Sequence, residues 1–213
     1  MTQIADIILS LVLLSVLFCL SSSRMMILVK WIAFQGIAIS MIQLFFHQQT
    51  GFANIAFAII MSGIRGILIP IFIYIAVKKM GIKREIEPII GYHASLFAGL
   101  LMMVFAAFIG KKFNLHSIGS NPLLLPTAIT TLMAGMFLAM TRRKAITMVI
   151  GYIMMENGIY LVGISLTKHT HFMIEFGILL DVLVGVMLMG IILNNINRTF
   201  DDIDTTLLRS LKD

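Results

Sequence analysis

Residues 145–166 read AITMVIGYIMMENGIYLVGISL, an apolar run broken near its centre by one carboxylate, Glu156. A bilayer core needs about 20 apolar residues of helix, so this run is long enough to cross one. An acid at that depth costs roughly 2.5–3.5 kcal/mol on insertion scales, and it faces protein or a wet cavity rather than lipid. The next apolar run repeats the device with Asp181. At 1.5 Å per residue, Glu156 lies about 15–17 Å from either end of its run, and Asp181 about 14 Å from the outer end of its own. Two deep acids on consecutive spans are what any functional account must explain.

The rest of the 213-residue chain is of the same kind, 59% hydrophobic and 12% charged, with a mean hydropathy of +1.00. A soluble domain of this length needs far more polar surface, so the class is integral membrane protein, with no room for a soluble catalytic domain. The formal charge of +6 does not point to nucleic acid, because the basic residues sit in short connectors between apolar runs. The single cysteine, Cys19, excludes an intramolecular disulfide and any cysteine-ligated iron–sulfur cluster. Residues 1–22 lack the basic start and small-residue cleavage site of a signal peptide, so the first helix is expected to be retained.

The pattern predicts an all-α, polytopic membrane protein with seven transmembrane helices, at about 3–22, 25–46, 53–77, 91–110, 121–141, 145–166 and 172–194. With the N-terminus outside, Arg24, Lys30, Lys78, Lys79, Lys83 and Arg84 all fall on the inner side. Arg142, Arg143, Lys144, Arg198, Arg209 and Lys212 join them, against Lys111, Lys112 and Lys168 outside. Such an excess places the C-terminus in the cytoplasm. Residues 1–120 form an N-terminal four-helix part and residues 121–198 a three-helix part. The tail 199–213 reads as a short amphipathic cytoplasmic helix, with Asp204 where a cap belongs.

Several polar residues interrupt the spans. Gln35, between Phe34 and Gly36, has the character of an interhelical hydrogen-bonding group. Arg65 sits at the middle of the third span, bracketed by Gly63 and Gly66, with Pro70 further along. Proline cannot donate to the Gly66 carbonyl, so this helix is expected to kink or open beside the arginine. A structural ion pair and a functional charge are both compatible with Arg65. His93 stands near the headgroups, and His169 and His171 lie in an outer connector without the further ligands that a metal site needs. Residues 31–38, WIAFQGIA, align with 152–159, YIMMENGI, which sets Gln35 opposite Glu156 and, with a gap in the outer loop, Arg65 opposite Asp181. A parallel internal repeat of spans one to three and five to seven would produce this.

Glu156, Asp181 and Arg65 thus share a similar depth on three helices. Low dielectric favours the neutral form of an acid, and a neighbouring arginine favours the charged form. That balance is what a reversible proton carrier needs. Tyr152 and Tyr160 lie four residues either side of Glu156, on its face, where they can bond to it or order water. Gly177 and Gly185 flank Asp181 at the same spacing. Glu175 is either a carboxylate at a proton exit or merely interfacial. With Tyr152, Tyr160, Gln35 and His93 it makes up the candidate path around the main groups. No phosphate loop, nucleophile triad, haem-spaced histidine pair or last-span Schiff-base lysine is present, so no catalytic site and no cofactor is expected.

The run Gly151-Tyr152-Ile153-Met154-Met155-Glu156-Asn157-Gly158, followed by Ile174-Glu175-Phe176-Gly177 and Asp181, resembles the hydrogenase-4 component E family. These are membrane subunits of group 4 nickel–iron hydrogenases and formate hydrogenlyases. The likeness extends through Arg198 to LLRSLKD, with Arg65 to Pro70 as its anchor before residue 140. Spans five to seven are also similar to the three-helix K subunit of complex I. There Asp181 matches the second intramembrane acid, whereas the first corresponds to Ile153, one turn or about 4.5 Å from Glu156. Where the hydrogenase family implies lysine, this chain has Arg65, which stays protonated and so biases neighbouring acids rather than passing a proton.

The resemblance implies a non-catalytic subunit in the membrane arm of a hydrogenase- or complex I-like oxidoreductase, in a prokaryotic cytoplasmic membrane. Its expected partners are antiporter-like membrane subunits, peripheral nickel–iron and iron–sulfur subunits, and lipid. Glu156, Asp181 and Arg65 are the expected proton- or sodium-translocation residues. A purely structural connector and an independent small ion transporter remain open as alternatives.

Overall fold

In the computed structural model, the structure describes residues 2–46, 59–60, 63–79, 89–112, 121–166, 184–187 and 190. Among these the chain is helical, without a β-strand. Helices α1 (Thr2–Ser21) and α2 (Met25–Phe46) form a first hairpin. A π-helical turn at Ile64–Leu68 leads into α3 (Ile69–Lys79), and α4 (Tyr92–Lys112) follows. Helices α5 (Leu124–Thr141) and α6 (Ala145–Leu166) form a second hairpin. By length and composition α1, α2, α4, α5 and α6 can each cross a membrane.

These five helices agree with the first, second, fourth, fifth and sixth expected spans to within a few residues. The third expected span, 53–77, is interrupted in its described part. Ile69 donates its N–H to the Ile64 carbonyl, five residues back, just before Pro70. Pro70 has no N–H with which to continue an α-helical ladder, and the wider turn accommodates its ring. The expected opening beside Arg65 thus takes the form of a π turn. Most of the seventh expected span, including Glu175 and Asp181, lies outside the described residues, as do His169, His171 and the tail.

Lipid tails are as apolar as leucine, so helices in a membrane associate by close packing and interhelical bonds. The second hairpin follows this rule closely. A Cβ on Gly151 would lie 2.6 Å from the Ala139 nitrogen and 2.8 Å from the Gly135 carbonyl oxygen. One on Gly135 would run into the Met155 backbone, and one on Gly158 into Leu132. Around this interlock, Leu20, Met25, Leu28 and Ile32 pack with Leu138, Ile146, Ile150 and Met154. A second cluster, with Leu9, Val12, Ile39, Leu124 and Leu161, fills the end remote from the hairpin turns. Helix α4 packs on α1 and α5 and exposes Phe97, Val104 and Phe108.

The two hairpins are built alike. Their turns, 22–24 and 142–144, are of equal length, and α2 and α6 run 25–46 and 145–166. Hydrogen bonds that join them run from Arg142 to the Leu20 carbonyl, Thr147 to the Met25 sulfur, and Asn157 to Gln35. Each links residues 122 apart. The order of the pairs is the same on both sides, so α2 and α6 lie side by side and parallel. A constant separation is what two parallel helices packed in register make, whether or not they are repeats of one another.

Candidate functional site: a buried ion pair at mid-membrane

The site is built from α2, the π turn and α6. On α6, Glu156 is near mid-helix and 2% exposed, with Asn157 beside it also at 2%. The π turn carries Arg65, 6% exposed. Its Nη2 donates to Glu156 Oε1 at 3.0 Å, a buried salt bridge between residues 91 apart in sequence. The Arg65 guanidinium also lies over the Tyr160 ring, 4.6 Å from its centroid. A cation held this way is attracted to the ring face, by about 2 kcal/mol when desolvated.

Helix α2 fixes the arginine from the other side. A Cβ on Gly36 would lie 2.7 Å from the Arg65 carbonyl oxygen, so only glycine lets α2 approach the π turn this closely. Gly66 in turn packs against the Ile37 side chain. Next to Gly36, Gln35 is fully buried and accepts a bond from the Asn157 amide at 3.3 Å. The Gln35 Nε2 has no hydrogen-bond partner among the described residues. The result is a compact polar centre of Arg65, Glu156, Tyr160, Asn157 and Gln35.

The structure thus pairs Arg65 with Glu156. Tyr160 serves the arginine as its ring platform rather than simply flanking the acid. Tyr152 is half-buried and packs on the apolar cluster around Ile146, Ile150 and Met154. His93 is exposed in the first turn of α4, away from the pair. Glu175 and Asp181 lie outside the described residues.

Asn157 and Arg142 are also drawn into the buried polar structure. Asn157 was masked by its neighbour, although its place opposite Gly36 in the repeat alignment put it beside Gln35. Arg142 reads as one more basic turn residue, yet it is 1% exposed. It donates to the Leu20 carbonyl at 3.1 Å and lies 4.5 Å above the Tyr92 ring. Its signal was its position directly after a helix, where one arginine of a basic triplet can turn inward.

A buried ion pair at mid-span, set among parallel apolar helices, places the molecule among polytopic membrane proteins that hold charge inside the bilayer. The chain belongs to the same family as the uncharacterized protein Rv0085 of Mycobacterium tuberculosis, with 30% identity over 190 residues, 87% of this chain and 86% of that one. It is more distantly similar to hydrogenase-4 component E of Escherichia coli and of Shigella flexneri. That identity is 23% over 146 residues, 68% of each chain. No family model and no solved structure matches.

Proposed function

We propose that this chain is a non-catalytic subunit in the membrane arm of a hydrogenase- or complex I-like respiratory complex, where it helps to carry protons or sodium ions. The observation that carries the reading is the buried Arg65–Glu156 pair at 3.0 Å, in a chain similar to hydrogenase-4 component E. Glu156 and Asp181 are the carriers, and Arg65 biases them electrostatically without giving up its own proton. Glu175, Tyr152, Tyr160, Gln35 and His93 belong to the surrounding path.

The full protein in this reading has seven spans in the cytoplasmic membrane of a prokaryote, N-terminus outside and C-terminus inside. A four-helix part (1–120) is followed by a three-helix part (121–198) and a cytoplasmic tail (199–213). Antiporter-like membrane subunits and peripheral nickel–iron and iron–sulfur subunits are its partners, and the redox chemistry is theirs. The test is Glu156→Gln in the assembled complex, with ion uptake into inverted vesicles as the readout. Loss of uptake with assembly intact is expected, and normal uptake overturns the reading.

A structural reading is favoured by one feature of the same pair, which ties the π turn to α6 while Gly36 locks that turn against α2. If the pair is only a clamp, Arg65→Met combined with Glu156→Gln leaves both assembly and ion uptake unchanged.

A further inference from the structure

Helix α2 turns one face away from the bundle, and a lysine lies on it. Lys30 is exposed, five residues into a helix that starts at Met25. Phe34, Ile37 and Met41 continue the same exposed face at helical spacing. At 1.5 Å per residue the Lys30 Cα lies about 7.5 Å inside the end of the helix, within the apolar layer. No carboxylate among the described residues is at hand for it. The described acids are Asp6, bonded to Asn121 near the other end of α1, and Glu156, paired with Arg65.

A lysine in an apolar layer extends its stem along apolar surface and keeps its ammonium at the polar boundary. The geometry of α2 favours this. Side chains on a helix tilt toward its N-terminus, which for α2 is the hairpin-turn end. The stem of Lys30 therefore leads its charge back to the level of Arg24, whose carbonyl accepts the Leu28 N–H at 3.2 Å. Arg24 is exposed as well, and so are Lys78 at the end of α3 and Arg143 in the second turn. No acid among the described residues stands at this end to offset them. Basic groups at this level attract anionic headgroups.

Beside the lysine stands an aromatic wall. Trp31 stacks on Phe18 of α1, and Phe34 meets the same ring edge-on. Phe18 and Phe34 are exposed and Trp31 is half-buried. From Lys30 to Met41 the exposed face runs about 16 Å, roughly half the thickness of a bilayer core. Helices of neighbouring subunits associate in membranes through small residues and interhelical hydrogen bonds. Phe34, Ile37 and Met41 offer neither, whereas a flexible acyl chain packs on such a surface by dispersion contact alone. A cation at the phosphate level, above an apolar strip one leaflet deep, matches the form of a phospholipid.

We propose that this face binds an anionic phospholipid, with its phosphate against Lys30 at the level of Arg24 and one acyl chain along Phe18, Trp31 and Phe34. A zwitterionic lipid brings its own cation to the same level, so the site selects by net headgroup charge. The site is independent of Glu156 and of any ion that the chain helps to carry.

Trp31 is the only tryptophan in the chain, so its fluorescence reads the site directly. The test reconstitutes the full chain into vesicles of phosphatidylcholine and phosphatidylglycerol, in which one lipid or the other carries brominated acyl chains that quench tryptophan on contact. Brominated phosphatidylglycerol is expected to compete for Trp31 several-fold more strongly than brominated phosphatidylcholine. That preference is expected to vanish in Lys30→Gln and survive in Lys30→Arg, with quenching by phosphatidylcholine alone unchanged in both. Equal quenching of the parent by the two lipids is ordinary boundary-lipid contact and overturns the site. A preference that Lys30→Gln leaves intact overturns it too. Shielding of Trp31 from both lipids also overturns the site and assigns the face to a protein contact.

Discussion

The two hairpins share their order, turn length and parallel central helices, yet they differ in almost everything that bears on chemistry. At the polar centre the first contributes neutral Gln35, and the second contributes charged Glu156. The first carries an aromatic cluster on its face, with Phe18 stacked on Trp31 at 4.7 Å and Phe34 edge-on to the same ring at 5.9 Å. The second is closed by Gly135, Gly151 and Gly158 at backbone contact. The first turn exposes Arg24, whereas the second buries Arg142. Charge inside a membrane needs fixed partners and little room for relaxation. The tightly interlocked hairpin carries it, while the other supplies a wall and a hydrogen-bond acceptor.

The largest effect that separates the hairpins is at the ion pair. Removing one member of a buried pair leaves an uncompensated charge and costs about 3–5 kcal/mol. Arg65→Ala and Glu156→Ala are each expected to lower the thermal unfolding temperature of the detergent-solubilised protein sharply. Arg65→Met with Glu156→Gln, which removes both charges at similar volume, is expected to recover most of that loss. If the double variant is as unstable as the single ones, the pair is not the unit that holds the π turn to α6.

Next come the turns. Arg142→Gln gives up a charge-assisted bond to the Leu20 carbonyl, worth about 1.5–3 kcal/mol. It also loses the stack on Tyr92. Arg24→Gln alters an exposed side chain and is expected to stay within about 0.5 kcal/mol of the parent. Equal losses in the same unfolding assay would erase the distinction between a buried and a solvated turn. Within the second hairpin, Gly151→Ala forces a methyl against the Ala139 backbone, an overpacking cost of about 1–3 kcal/mol.

Much of the fold was legible because a bilayer permits so few solutions. Apolar runs of bilayer length, bounded by Ser22-Ser23-Arg24 or Arg142-Arg143-Lys144, fix helices to within a few residues, and the described spans agree. The depth of Glu156 and Arg65 was equally legible, since depth follows from helical rise. Partnership was not. That Arg65 turns to Glu156 depends on helix rotation, which near-uniform apolarity does not encode. The Gly36 contact with the Arg65 carbonyl joins residues far apart in sequence, and no local pattern announces it. Pro70 did announce an irregularity, though not that it would be a π turn. Arg142 was hidden because charge counting for topology treats every basic turn residue as solvated.

The smallest predicted effect is also the one that probes the kinship of the hairpins most directly. Gln35 accepts the Asn157 amide, and its own Nε2 has no partner among the described residues. Gln35→Leu therefore removes one interhelical bond, worth about 0.5–1.5 kcal/mol. It also removes a polar group that is itself costly to bury, and the two changes oppose each other. The net change is expected to be about 1 kcal/mol or less, well below that of either ion-pair variant. Asn157→Leu loses the same bond but leaves both ends of the Gln35 amide buried, so it is expected to be the worse of the two. If the order is reversed, Gln35 Nε2 is satisfied in the native protein, by water or by residues outside those described. The first hairpin would then be an active part of the polar centre rather than its wall.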